Sequence, residues 1–355
     1  MITISKDSKV YVICPASIAT GGPELLHQFA HILREKGVNA MMYYTPSNVE
    51  NPIHQAFEQY KVPFVREIED NERNLLITCE TYGNIKECIL FKRIRKCLWW
   101  LSVDNYFLTR PMNNTLLRWY SNAMWAIDSL LFKLSNRSYF DLSSFTMKVY
   151  ENFTISDDNL LSEFEFHFYQ SEYARQMLLK MKVSPDVIYP LSDYLNIQFI
   201  EENKETEIKD KKDIVLYYPR KGKKFTSKLI REAKGQFKFV PIMGLTRSQM
   251  VDLLKSAKVY IDFGHHPGKD RIPREAAICK CCIITGTRGA AQNNIDIRIP
   301  GKYKFPENCI PDILKAISDC LKNFDERINE FEDYRQSIIG EYEEFNRQVD
   351  TLFSY

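Results

Sequence analysis

The fold is decided by residues 259–285, which read VYIDFGHHPGKDRIPREAAICKCCIIT. Val259–Phe263 is an apolar run of strand length, and Gly264–Arg271 is a loop rich in glycine, proline and charge. Helical spacing follows over Ile272–Cys279, and a second apolar run, Cys282–Thr285, predicts another strand. A strand, a helix and a strand in this order predict a parallel β–α–β unit.

The same alternation extends in both directions from this stretch. In the second half, further elements are predicted at Ile214–Tyr218, Phe225–Ala233, Phe237–Ile242 and Arg247–Ser256. In the first half, strands are predicted at Val10–Ile13, Ala40–Tyr44, Leu75–Cys79 and Cys97–Leu101, and a helix from Pro23 to Gly37. The predicted fold class is therefore α/β, with two Rossmann-like domains facing across a cleft. Ligands of such folds bind at the carboxyl ends of the strands.

The domain boundary is predicted in the charge-dense stretch 201–212. We predict an N-terminal domain over 1–200, with an aromatic insertion at 108–165 where the alternation of strands and helices breaks. The C-terminal domain is predicted over 213–330. Residues 331–355 are predicted to form a C-terminal helix, for which a return to the first domain is one arrangement.

The composition is that of an ordinary globular protein, with 355 residues, 45% hydrophobic and 26% charged. The net charge of +2 excludes the strong basic field that nucleic-acid binding needs. Without a signal peptide or an apolar run of membrane-spanning length, the chain is expected in the cytoplasm, with the inner face of the membrane as an alternative. Metal binding by Cys279, Cys281 and Cys282 is disfavoured because no second ligand pair follows at zinc spacing.

Two loops combine glycine with charge at the ends of predicted strands. Gly21 and Gly22 precede Glu24 at the start of a helix, where free amides favour an anionic or hydroxyl-bearing ligand. A tight turn, with Glu24 stabilising the helix dipole, explains the same residues. The spacing is not the dinucleotide fingerprint, which disfavours a nicotinamide cofactor. Arg220 and Lys221 lie in a basic loop that either clamps a diphosphate or forms a solvated turn.

The third loop, after Phe263, is the richest in chemistry. Adjacent His265 and His266 suggest a metal, but neighbouring side chains diverge and no third ligand follows at fixed spacing. Pro273 suits the first turn of the following helix, which places Glu275 near amides that bind phosphates and sugar hydroxyls. The candidate nucleotide-binding residues of this loop and of the small-residue loop 286–291 are Gly264, His265, Lys269, Arg271, Arg274 and Gly289.

These residues resemble a GT-B glycosyltransferase. The stretch Gly21–Leu26 resembles its acceptor-side loop, and Arg220 with the loops 264–277 and 286–291 follows the layout of its donor domain. The likeness covers about residues 8–107 and 213–300 and is nearest to bacterial surface-polysaccharide enzymes of the retaining family-four type. It implies a nucleotide-sugar donor, no metal and no other cofactor.

The resemblance also implies roles for single residues. Two glutamates eight positions apart contact the donor in that family, and Glu275 matches the second, near the ribose. The position of the first holds Pro267. His266-Pro267 resembles the His-Pro motif that binds the CMP phosphate in GT-B sialyltransferases and Kdo transferases, so a CMP-sugar is an alternative donor. His266 and Glu275 are the candidate catalytic residues of this loop, and Arg220, Lys221, Lys269 and Arg271 would stabilise the leaving phosphate.

Aromatic residues mark the first half. Leu116–Phe132 contains Trp and Tyr that would suit a membrane interface or a lipid-linked acceptor, but its basic face is thin. We therefore favour a buried helix that packs on the first domain. Trp100 and Asp104 follow a strand end, where Trp100 would stack on an acceptor sugar and Asp104 would act as the base of an inverting enzyme.

The leading hypothesis is a metal-independent glycosyltransferase that moves a sugar from a nucleotide-sugar donor to a glycan or lipid-linked glycan. Its expected setting is bacterial surface polysaccharide synthesis, of capsule or lipopolysaccharide, with peripheral membrane contact as an option. The alternative is a non-catalytic GT-B-like sugar-binding or scaffold subunit of an assembly complex, which Pro267 favours. Product formation on a glycan acceptor would separate the two.

Overall fold

The computed structural model describes residues 2–5, 7–112, 114–135 and 142–354, so Asn113 and 136–141 of the predicted insertion lie outside it. Its strands are β1 (Ile2–Thr3), β2 (Lys9–Pro15), β3 (Asn39–Thr45), β4 (Phe64–Val65), β5 (Leu75–Cys79), β6 (Arg95–Trp100), β7 (Phe166–Tyr169), β8 (Ile188–Pro190), β9 (Lys212–Tyr217), β10 (Lys238–Pro241), β11 (Ala257–Asp262), β12 (Cys282–Thr285) and β13 (Phe353–Ser354).

The helices are α1 (Gly21–Glu35), α2 (Tyr82–Cys88), α3 (Asp104–Thr109), α4 (Thr115–Ser135), α5 (Leu142–Val149), α6 (Glu172–Lys180), α7 (Ile197–Asn203), α8 (Lys223–Glu232), α9 (Arg247–Ser256), α10 (Arg271–Ile278), α11 (Ile310–Lys322), α12 (Phe324–Arg327), α13 (Glu332–Ile339) and α14 (Glu341–Leu352). Short 3-10 helices lie at Gln55–Tyr60, Ile155–Asp157, Leu161–Glu163, Pro185–Val187, Ala290–Gln292, Gly301–Tyr303 and Ile328–Phe331. No described helix is long and apolar enough to cross a membrane.

Two compact units divide the chain. The first unit comprises 1–111, 145–194 and 343–355, and the second comprises 112–144 and 195–342. The chain therefore leaves the first unit, returns to it and finally re-enters it after the second unit is complete. The division thus groups 112–144, which lies within the insertion predicted for the first domain, with the second unit.

The first unit is built on a parallel sheet with strand order β4-β3-β2-β5-β6-β7-β8 among the described residues. β2 reads KVYVICP and is buried along its middle, as expected for a central strand covered on both faces. Helix α1 covers one face with Leu26, Phe29 and Leu33, each 0% exposed. Its apolar positions recur every three to four residues, which is the spacing that places them on one side of a helix.

The second unit is built on a parallel sheet with strand order β10-β9-β11-β12 among the described residues. Val215, Ile261 and Ile283 are central to its core and at most 1% exposed. Cys279, Cys281 and Cys282 are also fully buried and carry free thiols. Burial raises the pKa of the Cys279 thiol to about 12, so the group remains an uncharged packing residue.

Candidate functional site

The carboxyl edge of the second sheet brings three loops together. Strands β9, β11 and β12 are parallel neighbours, so the residues that follow each of them emerge at the same edge. These loops are 218–222, 263–270 and 286–289. Helices α8 and α10 start from the first two, so both helix N-termini lie at this edge. The amides in the first turn of a helix favour a bound anion.

Glycine allows these loops to pack backbone against backbone. A Cβ on Gly222, which has φ +57°, would lie 2.7 Å from backbone atoms of Phe263 and Gly264. Gly289, with φ +63°, pairs with His266 in a parallel bridge and leaves no room for a side chain against the His266 carbonyl. A side chain at either glycine would push the loops apart, so the spacing of the loops depends on both.

The Lys221 ammonium lies among three side chains of this edge. Its Nζ is 2.9 Å from Asp262 Oδ2, 2.5 Å from Asp270 Oδ2 and 3.1 Å from His266 Nδ1. Burial lowers the pKa of Lys221, but the two carboxylates outweigh burial and raise the pKa above its ordinary value. Lys221 is therefore a firmly charged cation at the carboxyl edge.

His266 lies inside this cluster and is 0% exposed. Its Nδ1 is 2.8 Å from Asp270 Oδ2, and its Nε2 is 3.5 Å from Asp262 Oδ1. Among the described residues Nε2 has no hydrogen-bond partner. The ring therefore presents each nitrogen to a carboxylate rather than to solvent, and its predicted catalytic role stays a prediction.

The same cluster contains the donor atoms of a metal site. One ligand atom from each of Asp262, His266 and Asp270 lies within 4.8 Å of the others. The sequence predicts no third ligand beside the two histidines, whereas the structure supplies two carboxylates, four residues before and after His266. The Lys221 ammonium already lies among these oxygens, so we describe Lys221 as the cation of the cluster.

Glu275 is held by an arginine that residue spacing does not reveal. Its side chain is 4% exposed, and its two oxygens accept from the two terminal nitrogens of Arg247 at 2.9 Å each. The Arg247 guanidinium also lies 4.8 Å from the centre of the Phe199 ring. Bidentate pairing of this kind fixes a carboxylate in one orientation. The predicted donor-contacting residue is thus pre-oriented, but its role toward a ligand stays a prediction.

Arg274 and Lys269, predicted as nucleotide ligands, are engaged inside the loop. Arg274 is 1% exposed, and its Nη1 donates to Glu341 Oε2 at 2.7 Å. Its other nitrogens donate to the carbonyls of Asp270 and Lys269 at 3.2 and 2.9 Å. Lys269 Nζ lies 3.1 Å from Glu341 Oε1. The charge of Glu341 compensates both cations, so these contacts hold the loop to Glu341, and a role of either cation toward a nucleotide stays a prediction.

The remaining predicted cations occupy the outer side of the edge. Arg220 is exposed just before α8, and Arg271 is half-buried at the start of α10. His265 is half-buried beside the position where a Gly289 side chain would lie. Arg220 and Arg271 are thus the predicted cations best placed to meet a ligand from solvent.

In the first unit, the predicted acceptor-side residues lie at the start of α1. Gly21 is the first residue of the helix, and a Cβ on Gly22 would be in ordinary contact with Leu101, at 3.6 Å. Glu24 lies in the first turn, where a negative charge is favourable, and accepts a hydrogen bond from Tyr60 at 3.0 Å. These contacts stabilise the turn, and an acceptor-binding role for the loop stays a prediction.

Trp100 and Asp104 do not face an acceptor. Trp100 is 0% exposed, and its Nε1 donates to His167 Nδ1 at 3.1 Å while the two rings stack. Asp104 is 1% exposed and accepts from the Tyr173 hydroxyl at 3.0 Å. A sugar cannot stack on a fully buried indole, so the structure makes Trp100 a core residue. Asp104 likewise joins α3 to α6 and is not open to a substrate.

The sequence gives no hint of Glu80, a buried carboxyl at the end of β5. Its oxygens accept from the backbone N–H groups of Leu101 and Ser102 at 2.9 and 3.0 Å, and from Asn105 Nδ2 at 3.2 Å. Burial raises the pKa of Glu80 to about 7, against the effect of these hydrogen bonds. Glu80 therefore ties the turn between β6 and α3 to the end of β5.

Helix α4 is exposed, so the expectation of a buried helix on the first domain is wrong. Several of its large apolar side chains are exposed by roughly half or more, and among the described residues they are Leu116, Trp119, Tyr120, Trp125, Ile127 and Leu130. Leu116 reaches 79% and Trp119 71%. The sequence could not reveal this, because exposure depends on which neighbours the fold supplies.

Comparison with known proteins identifies the fold. The sequence matches no protein-family profile and no curated protein. Among solved structures, Anabaena HepE in complex with UDP-glucose is similar, with a TM-score of 0.57 and 10% identity over 97% of this chain and 99% of that one. A glycosyltransferase from Rickettsia africae is similar with a TM-score of 0.59 and 11% identity, over 97% of this chain and 96% of that one. Sucrose-phosphate synthase from Thermosynechococcus elongatus is similar with a TM-score of 0.52 and 12% identity, over 97% of this chain and 100% of that one.

These similarities extend over nearly the whole of each chain, at identities that establish the fold alone. In this chain, the strand pairs of the two large sheets are all parallel among the described residues. The prediction of an α/β protein made of two Rossmann-like units with a helical C-terminal segment is confirmed. The chain has the GT-B fold.

Proposed function

We propose that this chain is a glycosyltransferase that moves a sugar from a nucleotide-sugar donor to a glycan or lipid-linked glycan. The observation that carries the proposal is the carboxyl edge of the second sheet, where two helix N-termini lie beside Lys221, the exposed Arg220 and the half-buried Arg271. Cations and free amides at one edge are what a diphosphate leaving group requires. The similar HepE structure contains UDP-glucose, so UDP-sugars are the first donors to test.

In the proposed reaction, an acceptor hydroxyl oxygen bonds to the anomeric carbon while the bond from that carbon to the donor phosphate breaks. The leaving nucleotide keeps the electron pair and gains negative charge. Lys221, Arg220 and Arg271 would stabilise that charge together with the amides of α8 and α10. No metal is required in this scheme, because the Lys221 ammonium is the cation of the cluster.

The finer setting we propose is bacterial surface polysaccharide synthesis at the inner face of the membrane. The exposed apolar side chains of α4 support it, because Trp and Tyr are enriched at membrane interfaces. Co-sedimentation with vesicles of anionic phospholipid would check the membrane contact. We expect the double substitution Trp119→Ser with Trp125→Ser to reduce binding severalfold, and equal binding of both proteins would contradict the proposal.

The direct test is nucleotide binding and donor hydrolysis across UDP-, GDP- and CMP-sugars. We expect Arg220→Ala to weaken donor binding about tenfold, because an exposed arginine that meets a phosphate contributes on the order of 1–2 kcal/mol. Arg231→Ala is the matched control, since Arg231 is an equally exposed arginine in the last turn of α8. CMP-sugar preference over UDP- and GDP-sugars would favour the alternative donor.

Two outcomes would contradict the proposal. If no nucleotide binds to the wild-type protein, the donor site does not exist. If nucleotides bind but no sugar is transferred to water or to any glycan, the chain is a sugar-binding or scaffold subunit. Pro267, at the position where the family has a glutamate, is the observation that favours this second function.

A further inference from the structure

Asp270 occupies the N-cap position of α10 but does not cap the helix. Its backbone is extended, with φ −69° and ψ 145°, and its side chain makes no capping hydrogen bond. Aspartate is among the best N-cap residues because its carboxylate accepts from first-turn amides. Here the carboxylate lies instead 2.5 Å from Lys221 Nζ and 2.8 Å from His266 Nδ1. The Ile272 N–H, which an N-cap carboxylate would reach because Pro273 has no N–H, therefore does not bond to the Asp270 side chain.

The two carboxylates on Lys221 are not equivalent. Asp262 is 3% exposed, and its oxygens also accept from the Tyr260 hydroxyl and the Gly264 N–H, each at 3.1 Å. Asp270 is 29% exposed. Burial opposes its ionisation, but Lys221 and His266 outweigh burial and hold the pKa of Asp270 well below its usual range. Asp262 is therefore the fixed partner of Lys221, and Asp270 is the charged partner that can be exchanged.

We propose that Asp270 competes with the donor phosphate for Lys221 and so promotes release of the nucleotide after transfer. The inference rests on the proposed function, because it requires a nucleotide at this edge. When a phosphate oxygen takes the place of Asp270 on Lys221, the carboxylate is free to cap α10 at the Ile272 N–H. When the nucleotide leaves, the carboxylate returns to the ammonium.

This competition has a measurable charge dependence. A carboxylate near the phosphates repels them in proportion to their charge, so removing it helps a diphosphate more than a monophosphate and leaves a nucleoside unaffected. It also has a kinetic signature, since tighter donor and product binding lowers KM and kcat together when product release limits the rate. A residue that only supports the loop would lower affinity for all three ligands.

The test is calorimetric binding of uridine, UMP and UDP, and of the corresponding cytidine and guanosine series, to wild type and to Asp270→Asn. We expect diphosphate affinity to rise roughly tenfold, monophosphate affinity to rise less, and nucleoside affinity to stay the same. Asp270→Ser serves as a second variant, because serine keeps a good N-cap if the asparagine variant fails to fold. Steady-state kinetics with the donor should show KM and kcat falling together.

The matched control is Asp213→Asn, which removes the carboxylate of another Asp–Lys pair, 2.6 Å from Lys258, at the opposite end of β9. It should leave all affinities unchanged. The background Lys221→Met isolates competition at the ammonium from any effect through His266. In the Lys221→Met background, removing the Asp270 carboxylate no longer relieves competition for an ammonium. Most of the tenfold rise in diphosphate affinity should therefore disappear.

The outcomes separate the two proposals. If wild type binds a diphosphate but the Asp270 variants bind it equally or more weakly, the competition is refuted and the donor site stands. An equal gain in the Lys221→Met background would also refute it. If neither wild type nor any variant binds a nucleotide, the proposed function fails, and the inference fails with it.

Discussion

The Glu80 carboxyl is a single titratable group that an entire turn depends on. Only 1% of Glu80 is exposed, and it accepts from Leu101 and Ser102 at the turn that leads into α3. Burial raises its pKa to about 7 from an ordinary value of 4.5. The folded protein therefore binds this proton more tightly than the unfolded chain does. The protonated Glu80 carboxyl makes its whole contribution to the free energy of unfolding below the pKa of the unfolded chain. This contribution is lost as the pH rises through the pKa of the folded protein.

Glu80→Gln removes this titration without changing the side-chain shape. Relative to wild type, we expect the free energy of unfolding of the variant to rise by roughly 2 kcal/mol between about pH 5 and about pH 8. Urea unfolding of both proteins across that pH range is the measurement. Parallel curves for the two proteins would show that Glu80 does not titrate near neutral pH in the folded state.

The site residues that the sequence indicates are those whose chemistry is unusual for their place in the chain. Lys221, His266 and Glu275 belong to this group, because charge and histidine in a strand-end loop are conspicuous. Their partners are not predictable in the same way. Arg247 reaches Glu275 and Glu341 reaches Arg274 from other helices, and only the folded chain brings these residues together. Asp262 and Asp270 had a usable signal, their four-residue spacing around His266.

At the scale of elements, strand ends were predictable to within two residues wherever an apolar run was long enough. Arg247–Ser256 and Cys282–Thr285 match the structure at both ends. β7 and β8 were missed because each is short and follows polar turns. Position in a sheet, rather than local apolar content, makes such segments strands.

Alanine substitutions at two glycines with positive φ would show whether the loops at the carboxyl edge pack closely because Gly222 has no side chain. Gly222→Ala would place a Cβ 2.7 Å from the Phe263 and Gly264 backbone, whereas Gly235, with φ +79°, has nothing within 4 Å. Both changes cost about 1 kcal/mol for the left-handed backbone. We expect Gly222→Ala to lose a further 1–3 kcal/mol or so through overpacking. Equal urea midpoints for the two variants would contradict the close packing.

At the scale of the whole molecule, Phe345 packs the last segment of the first unit, 343–355, into that unit's core. Phe345 is 0% exposed, with its ring 6.2 Å from Trp99 and 5.2 Å from Tyr194. We expect Phe345→Ala to destabilise the first unit by about 3–5 kcal/mol. Leu116→Ala, at a side chain 79% exposed, should change stability by less than about 0.5 kcal/mol. Urea unfolding followed by tryptophan fluorescence measures both, and similar midpoints for the two variants would disprove this role.

The return of residues 343–355 to the first unit has a consequence for synthesis on the ribosome. β13 pairs with β1, and Phe345, Val349 and Phe353 complete a core that also contains Phe29 and Trp99. Until residues 343–355 have been made, the first unit cannot complete its core, and Phe29 and Trp99 stay incompletely covered. A premature stop shortly before residue 343 would leave that aromatic surface permanently open and direct the product toward chaperones or aggregation.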